Sequence, residues 1–402
     1  MSTIGDMPEG KICVVGGCGH VGLPLALAFA RAGAHVCSFD INPVAVDLVN
    51  GGRMPFDEPE GPEVLAEVLA AGRFSASTDA AEVGRADVVI VVIGTPVDEH
   101  LNPDTQAVPD AVASLVPYLR DDQTLILRST VFPGVTRLVE ERLAASGRST
   151  AVAFCPERIA EGKAFVELYS LPQIVSGRTP KAVAVATKVF SMLTDSVVET
   201  SPEEAELAKL FTNTWRYIKF AAANQFYMIA NEHGIDFERV RHAITFDYPR
   251  AADMPGAGFA AGPCLFKDTM QLAAFNNNNF FLGHASMMIN EGLPMYLVDR
   301  MERRFDLKQM KVGILGMAFK AESDDIRSSL SYKLRRILRY KAADVLCTDP
   351  YVSVDPNLVD METVLAEADV LVVGTPHSVY HTLKPRQPVV DVWNALGHGV
   401  LV

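Results

Sequence analysis

The sequence predicts an α/β protein in which two doubly wound parallel-sheet domains are joined by a long central helix and a small helical domain. A strand, a glycine-rich turn, a helix and a strand follow one another near the N-terminus, and the same order returns near the C-terminus. Between them, residues 203–233 contain neither proline nor glycine, which favours an uninterrupted helix. Because 402 residues suffice for two or three domains, the predicted limits are 1–200, 201–305 and 306–402.

Composition and charge narrow the class of function. Hydrophobic residues make up 49% of the chain and charged residues 21%, as in ordinary globular proteins. A net charge of −13 argues against nucleic-acid binding, which needs clustered positive charge. No apolar run has the length of a membrane span and residues 1–6 contain no basic region of a secretion signal, so a cytoplasmic protein without a membrane partner is predicted. The six cysteines include no Cys-x-x-Cys pair, so neither a disulfide nor a metal site is expected.

The N-terminal repeat carries a dinucleotide-binding signature. Apolar stretches predict strands at 11–15, 35–40, 86–96 and 123–128, with a helix at 23–32. The turn before this helix has the pattern Gly17-x-Gly19-x-x-Gly22. In a Rossmann-like domain these glycines permit a tight turn, close approach of the backbone to a pyrophosphate, and packing of helix on strand. The alternative is that the glycines serve packing alone.

Asp40 ends the second strand, about 20 residues after the glycine turn, where an acidic residue binds ribose. Its carboxylate can accept hydrogen bonds from both ribose hydroxyls and would repel a 2′-phosphate, so NAD is predicted rather than NADP. The predicted cofactor contacts in this domain are Gly17, Gly19, His20, Val21, Gly22 and Asp40.

The C-terminal repeat predicts a different nucleotide site. Its strands are expected at 311–316, 343–350 and 368–376, and the last nearly repeats the Ala-Asp…Gly-Thr-Pro stretch that ends at Pro96. The turn after its first strand lacks further glycines and instead carries Phe319 and Lys320, an apolar face and a phosphate-binding ammonium. Residues 323–327 are expected to open a helix, with Arg327 available to a pyrophosphate. The alternative places Phe319 in the core and Lys320 in solvent.

Cys264 is the candidate nucleophile. It follows a Gly-Pro turn and precedes Lys267 and Asp268, so a helix is expected to begin near it, and both the helix N-terminus and the ammonium favour a thiolate. Beside a nicotinamide, a cysteine can trap an aldehyde as a thiohemiacetal, which after a second oxidation becomes a thioester that water cleaves. Glu157 ends an apolar strand, at the sheet edge where ligands bind, and is the candidate base for that hydrolysis. The alternative is a structural Cys264.

The long helix supplies two further candidates. Lys209 and Asn213 are four residues apart and therefore share one helix face, where they could stabilise an oxyanion. The alternative for this pair is a solvated face. A helix of about thirty residues is about 45 Å long, which can connect two domains and offer an apolar face to a second subunit, so a homodimer is predicted.

Assembled, these residues resemble the nucleotide-sugar 6-dehydrogenases of the UDP-glucose/GDP-mannose dehydrogenase family over almost the whole chain. Four segments carry the resemblance: Cys264-x-x-Lys-Asp268, Glu204-x-Glu206-x-x-Lys209-x-x-x-Asn213, the Pro-Glu turn at Glu157, and Phe319-Lys320…Asp325-x-Arg327. The resemblance implies that C6 of a UDP-hexose is oxidised to a carboxylate while two NAD are reduced.

The same resemblance implies a role for each matching residue. Catalysis would fall to Cys264, Lys209, Asn213, Glu157, Asp268 and Thr130. NAD would be contacted by Thr95, Thr130, Lys267 and Arg327. The UDP-sugar would be contacted by Glu157, Arg158, Glu161, Lys209, Asn213, Arg216, Phe319 and Lys320, with Arg250 lent across the dimer.

Two departures and two arginines bear on the choice of sugar. The approach to the cysteine, beginning at Phe259, is one residue longer than is common in the family, and Trp393 stands where glucose-type members carry an arginine. Arg158 and Arg216 resemble members that oxidise UDP-N-acetylhexosamines, which are the predicted substrates, with UDP-glucose as the alternative. Two further alternatives are a single-step NAD alcohol dehydrogenase and a nucleotide-binding protein without turnover.

Overall fold

A computed structural model describes residues 10–95, 97–98, 103–400 and 402. The chain divides into two compact units, Met1–Phe211 and Thr212–Val402. The N-terminal segment 1–6 and the last residue of the predicted strand 86–96 lie outside the described residues.

The first unit is built on an eight-stranded sheet. Its strands are β1 (Lys11–Val15), β2 (His35–Phe39), β3 (Phe74–Ser77), β4 (Val88–Val91), β5 (Thr124–Leu127), β6 (Ala151–Phe154), β7 (Gln173–Gly177) and β8 (Val197–Thr200). Their order is β3-β2-β1-β4-β5-β6-β7-β8; β6 and β7 pair antiparallel, and the other neighbours pair in parallel. The first six strands have the order of a dinucleotide-binding Rossmann fold, which confirms the predicted fold class.

Helices cover both faces of this sheet. They are α1 (Gly22–Arg31), α2 (Pro43–Asn50), α3 (Gly61–Ala70), α4 (Ala81–Arg85), α5 (Ala107–Leu115), α6 (Val135–Ala145), α7 (Ala164–Ser170) and α8 (Pro180–Phe190). Alternate residues of β1 enter two separate apolar clusters, Ile12 and Val14 on one face, Cys13 and Val15 on the other. Because both faces are buried, the strand is a continuous apolar run.

The second unit contains a smaller parallel sheet and a group of helices. Its strands are β9 (Lys311–Leu315), β10 (Asp344–Thr348), β11 (Val370–Val373) and β12 (Val389–Val390), in the order β10-β9-β11-β12. The boundary between the units falls within α9 (Pro202–Glu232), and the remaining helices are α10 (Phe237–Thr245), α11 (Leu265–Phe275), α12 (Phe281–Arg304), α13 (Leu330–Leu338) and α14 (Met361–Glu367). Among the described residues, no helix combines the length and apolar character that crossing a bilayer requires.

The long central helix was predicted correctly. α9 has 31 residues, carries Glu203 and Glu204 in its first turn, and ends shortly before Gly234, whose φ is +68°. Acidic residues stabilise a helix N-terminus, and glycine adopts the left-handed conformation that ends a helix.

The expectation that residues 323–327 open a helix is wrong. α13 begins only at Leu330, where the Ser329 hydroxyl accepts a hydrogen bond from the Ser331 amide. Ser328, directly after this segment, has a φ of 53° and would interrupt a helix that began at 323–327. Asp325 accepts from the amide and guanidinium of Arg327 instead, so the segment is a loop with an internal ion pair.

Glu206 supports the N-terminus of α6. Its carboxylate is buried and accepts from the Gly134 amide (2.7 Å), the Thr136 amide (2.8 Å) and the Thr136 hydroxyl (2.6 Å). Helix N-termini leave amides without intrahelical partners, and α6 has no capping side chain of its own. The second glutamate of the Glu204-x-Glu206 pattern therefore holds α6 against α9.

We predict that Glu206→Gln lowers the free energy of unfolding by about 2 kcal/mol, the scale of hydrogen bonds to a charged group. Chemical denaturation measures this change. Glu141→Gln, at an exposed position of α6, is the control and should leave the unfolding midpoint nearly unchanged. Equal effects of the two substitutions would contradict the capping role.

Candidate active site

In the glycine turn of the first unit, protein atoms crowd Gly17 and Gly22 but leave open space beside Gly19. A Cβ on Gly17 would lie 2.5 Å from the Ser38 hydroxyl oxygen, and a Cβ on Gly22 would lie 2.2 Å from the Gly16 carbonyl oxygen. A Cβ on Gly19 would meet no protein atom closer than 3.7 Å. Packing alone therefore explains Gly17 and Gly22 but not Gly19, whose missing side chain leaves room for an anion at the N-terminus of α1.

Asp40 lies at the end of β2 beside this turn. Its carboxylate accepts from the Cys18 and Asn42 amides, each at 3.0 Å, which ties the turn to the second strand. The side chain remains partly exposed, so it can also accept from a ribose. His20 and Val21 complete the turn; the His20 ring stacks on Phe56 with centroids 4.1 Å apart, and Val21 precedes the first residue of α1.

The turns after β4 and β5 bring Thr95 and Thr130 together. The Thr95 hydroxyl donates to the Thr130 carbonyl (2.7 Å), and the Ser129 hydroxyl accepts from the Ile93 amide (2.8 Å). β4 lies next to β1, so both threonines follow strands at the sheet edge that carries the glycine turn. This edge is where doubly wound folds bind their ligands.

Glu157 follows β6 and forms a buried ion pair with Arg128, which directly follows β5. The guanidinium donates to Glu157 Oε2 from Nε (2.9 Å) and Nη2 (2.6 Å) and lies 4.5 Å from the Phe190 ring centroid. Glu157 Oε1 accepts from the amides of the next two residues, at 2.7 and 3.0 Å. Sequence reasoning missed Arg128, although a cation at the end of an apolar strand requires a buried anion.

The arginines of the predicted substrate set differ in environment. Arg158 is half-buried and donates to the Pro172 carbonyl, and burial lowers the pKa of its guanidinium. Arg216 and Arg250 are exposed, and the Arg250 guanidinium lies 5.6 Å from the Tyr248 ring centroid. Glu161 is half-buried in the loop that follows β6.

Lys209 and Asn213 occupy a buried face of α9. Their relative exposures are 8% and 5%, so the solvated-face alternative is wrong. Within the second unit, Asn213 Nδ2 donates to Asp268 Oδ2 at 2.5 Å. Asp268 is completely buried, and the Lys267 ammonium lies 3.3 Å from its other oxygen. A buried carboxylate requires such partners.

Cys264 is exposed and immediately precedes α11, as the sequence predicts. Its carbonyl accepts from the Asp268 amide (2.9 Å), so the thiol and the buried carboxylate belong to the same first turn. A helix N-terminus and the neighbouring Lys267 both favour a thiolate. The site in the second unit thus joins Cys264, Lys267, Asp268 and Asn213.

The remaining five cysteines are buried or half-buried, and none of the six, all within described residues, forms a disulfide. Burial, reinforced by the charge of Asp40, raises the pKa of Cys18 to about 12. Burial likewise raises the pKa of Cys155 to about 12 and that of Cys347 to about 11. These thiols stay protonated near neutral pH. Among described residues, no group of three or more His, Cys, Asp or Glu could hold a metal ion.

Phe319 lies against the cysteine loop. A Cβ on Gly262, two residues before Cys264, would lie 2.6 Å from Phe319 Cδ2, and Gly262 has a φ of +102°. The Lys320 ammonium lies 5.5 Å from the Phe319 ring centroid, and both side chains are half-buried. The residues predicted to bind the nucleotide sugar therefore adjoin the loop that presents the thiol.

In the second unit, the carboxylate that would bind ribose in a dinucleotide site is buried and bonded within the protein. Asp349 follows β10 as Asp40 follows β2, but its side chain is completely buried and accepts from the Met317 and Ala318 amides (2.6 and 2.9 Å). His377 Nε2 lies 3.0 Å from the same oxygen. Burial would raise the pKa of Asp349, yet the hydrogen bond and charge of His377 and the two amides outweigh it and lower that pKa. The sequence signal that could have pointed to His377 is the second Gly-Thr-Pro segment, residues 374–376, which directly precedes it.

The first unit contains a dinucleotide turn with an acceptor for ribose, and the second contains an exposed cysteine at a helix N-terminus; both features are typical of NAD-dependent dehydrogenases that use a cysteine nucleophile. Comparison with protein families matches three domains of the UDP-glucose/GDP-mannose dehydrogenase family: the NAD binding domain at residues 10–194, the central domain at 203–291 and the UDP binding domain at 313–398. The chain belongs to this family and is an NAD-dependent UDP-sugar dehydrogenase, which confirms the resemblance.

Individual relatives extend over almost the whole chain. The UDP-N-acetyl-D-mannosamine dehydrogenase of Yersinia pestis is 30% identical, covering 94% of this chain and 98% of its own length. The structure of a UDP-glucose dehydrogenase from Pyrobaculum islandicum matches with a TM-score of 0.91 at 28% identity, covering 97% of this chain and 95% of that one. The UDP-D-ManNAc dehydrogenase structure from Pyrococcus horikoshii matches with a TM-score of 0.87 at 27% identity, covering 95% and 94%.

The glycine turn gives a test of the cofactor site. We predict that Gly19→Ala raises the Kd for NAD at least about tenfold, equal to about 1.4 kcal/mol, because the new methyl occupies the anion's space. Its thermal unfolding should stay unchanged, since no protein atom opposes the methyl. Gly22→Ala, in contrast, should lower the free energy of unfolding by about 2 kcal/mol through overpacking. Calorimetric NAD titration and thermal melts of both variants distinguish the two roles; a destabilised Gly19→Ala would contradict them.

Proposed function

We propose that this enzyme oxidises C6 of UDP-N-acetylmannosamine to a carboxylate, with two NAD reduced per sugar. The observation that carries the proposal is the exposed Cys264 at the start of α11, with Asp268 buried beneath it and bonded to Asn213. The names of the Yersinia pestis and Pyrococcus horikoshii relatives support the acetylated sugar. The Pyrobaculum islandicum neighbour supports UDP-glucose as the second candidate.

The chemistry assigned to the cysteine has two stages. Gly19 and Asp40 would hold NAD, which would supply the hydride acceptor; two NAD molecules are needed in succession, because one hydride leaves the C6 alcohol and another leaves the covalent intermediate. Between these events the Cys264 thiolate attacks the C6 aldehyde and forms a thiohemiacetal. Loss of the second hydride leaves a thioester, and addition of water then releases the carboxylate and returns the thiol.

The neighbouring polar residues would serve the charges that these steps create. Lys209 and Asn213 stabilise the alkoxide and the oxyanion, since a buried cation and an amide donor act strongly where water is excluded. Asp268 and Thr130 would orient the catalytic water. Glu157 would act as the base for thioester hydrolysis, with its carboxylate held in place by Arg128.

The remaining predicted residues are assigned to binding. NAD contacts are Gly17, Gly19, His20, Val21, Gly22, Asp40, Thr95, Thr130, Lys267 and Arg327. UDP-sugar contacts are Glu157, Arg158, Glu161, Lys209, Asn213, Arg216, Phe319 and Lys320. We retain the domain limits 1–200, 201–305 and 306–402 as the cofactor-binding, central and UDP-sugar-binding domains.

The proposal includes a homodimer in the cytoplasm. In the second unit, α9 and α12 expose large apolar side chains, namely Trp215, Phe226, Ile229, Phe281, Leu282, Met288 and Met295. Extended exposed apolar faces are typical of interfaces, and an exposed Arg250 is available to a neighbouring subunit. Six cysteines without a disulfide suit a reducing compartment.

We predict two NADH per UDP-N-acetylmannosamine consumed, with a carboxylate product and faster turnover than with UDP-glucose or UDP-N-acetylglucosamine. Absorbance of NADH and mass spectrometry of the product measure both quantities. Cys264→Ser should reduce turnover by at least about a hundredfold, because an alkoxide leaves less readily than a thiolate. One NADH with a released aldehyde would support the single-step alcohol dehydrogenase, and full activity of Cys264→Ser would refute the covalent route. A folded protein that binds NAD and the UDP-sugar but forms no NADH would support the alternative of a nucleotide-binding protein without turnover.

The shared site gives a second test. Arg250→Ala and Cys264→Ser should each be inactive alone, but subunits mixed and allowed to exchange should recover about a quarter of wild-type activity, since half of the dimers then hold one intact site. Steady-state rates after mixing measure the recovery. No recovery, with dimer exchange verified by native mass spectrometry, would place Arg250 in its own subunit's site. An Arg250→Ala variant that is active alone would place Arg250 outside any site.

A further inference from the structure

The two departures from the family pattern lie in contact with each other. The atypical approach to Cys264 begins at Phe259, directly after Gly258, and the atypical C-terminal residue is Trp393. A Cβ on Gly258 would lie 2.2 Å from Trp393 Cζ3 and 2.3 Å from Cε3, so the indole rests directly on the glycine backbone. Phe259 packs against the same ring edge-on, with centroids 6.2 Å apart. We propose that Trp393 is a positioning residue that holds the loop 258–264 and so fixes Cys264.

Gly258 is also held by a buried side-chain amide. Asn224 of α9 donates to the Gly258 carbonyl (3.0 Å) and accepts from the Gly258 amide (2.9 Å). Asn290 of α12 in turn accepts from Asn224 (2.9 Å) and donates to the Tyr217 carbonyl (3.1 Å). Asn224 and Asn290 are completely buried, so the start of the loop is fixed between a polar network and an aromatic ring.

Trp393 is itself fixed. Its indole Nε1 donates to the Gly374 carbonyl at 3.1 Å, just after β11, and its amide donates to Asp391. Tryptophan has a single side-chain donor, and here that donor is used within the protein. Trp393 therefore cannot make the phosphate hydrogen bonds of the arginine that glucose-type members carry at this position. Its ring supplies packing to the loop instead.

The loop is thus held at two glycines by two aromatic rings. Trp393 contacts Gly258, and Phe319 contacts Gly262, which lies two residues before Cys264. Both glycines have positive φ values, +152° and +102°, so the backbone path at each point is specific. Removing one ring releases one end of the loop. A shift of about 1 Å at a reacting group can cost about a hundredfold in rate.

The test uses full-length Trp393→Ala and Trp393→Phe, with Tyr340→Ala as the control for removal of an exposed aromatic ring. The first readout is the rate of Cys264 alkylation by iodoacetamide without ligands, followed by peptide mass spectrometry. The buried cysteines serve as internal references because their thiols react slowly. The second readout is kcat and KM for the UDP-sugar.

For Trp393→Ala we expect the alkylation rate to fall about tenfold, because the thiol leaves its place at the helix N-terminus. We expect kcat to fall by a similar factor or more, while KM changes less. Trp393→Phe should restore most of both, and Tyr340→Ala should resemble wild type. An unchanged or faster alkylation rate would overturn the proposal. A raised KM with unchanged kcat would overturn it in favour of a nucleotide contact.

Two provisions keep this test decisive. If Trp393→Ala does not fold, Gly258→Ala replaces it, because the added methyl must displace the indole; unchanged alkylation of that variant would overturn the proposal. The kinetic readout rests on the proposed function, whereas alkylation needs neither sugar nor NAD. A wild-type protein that oxidises no UDP-sugar would therefore refute the proposed function and leave the positioning role of Trp393 to be decided by alkylation.

Discussion

Complete burial of the Asp268 carboxylate is the constraint on which the candidate site depends. A buried carboxylate must be hydrogen-bonded or paired, and here Asn213 and Lys267 meet that need. Asn213 belongs to α9 and Asp268 to α11, so one short hydrogen bond fixes the two helices against each other. Since Cys264 precedes α11 directly, the same bond determines where an exposed thiol can stand. The position of the exposed Cys264 thiol thus depends on the buried hydrogen bond between Asn213 and Asp268.

Features that depend on neighbouring residues could be predicted from the sequence. The glycine turn, α9, the start of α11 and the strands predicted within the two repeats each follow from local pattern, spacing or terminal residues. The strands β3, β7 and β8 were not predicted. Residues 323–327 show the limit of such reasoning, because an acidic run resembles a helix N-terminus while the left-handed conformation of Ser328 interrupts a helix that would begin there. Propensity carries no information about that dihedral angle.

Features that depend on distant residues could not be predicted. The pairing of Arg128 with Glu157, the support of α6 by Glu206, and the contact of Trp393 with Gly258 each join residues far apart in sequence. Their residue types gave hints, since buried charges need partners. The choice of partner is set only when the sheet and helices have formed.

The two sheets show how one architecture is directed to different ligands. Asp40 and Asp349 each follow the second strand of their sheet and each bind the turn after the first strand. Asp349 is withdrawn from solvent by His377, whereas Asp40 keeps an accessible edge. To introduce dinucleotide binding into the C-terminal half, one would have to replace His377 before adding glycines, because its imidazole occupies the Asp349 carboxylate that a ribose would need.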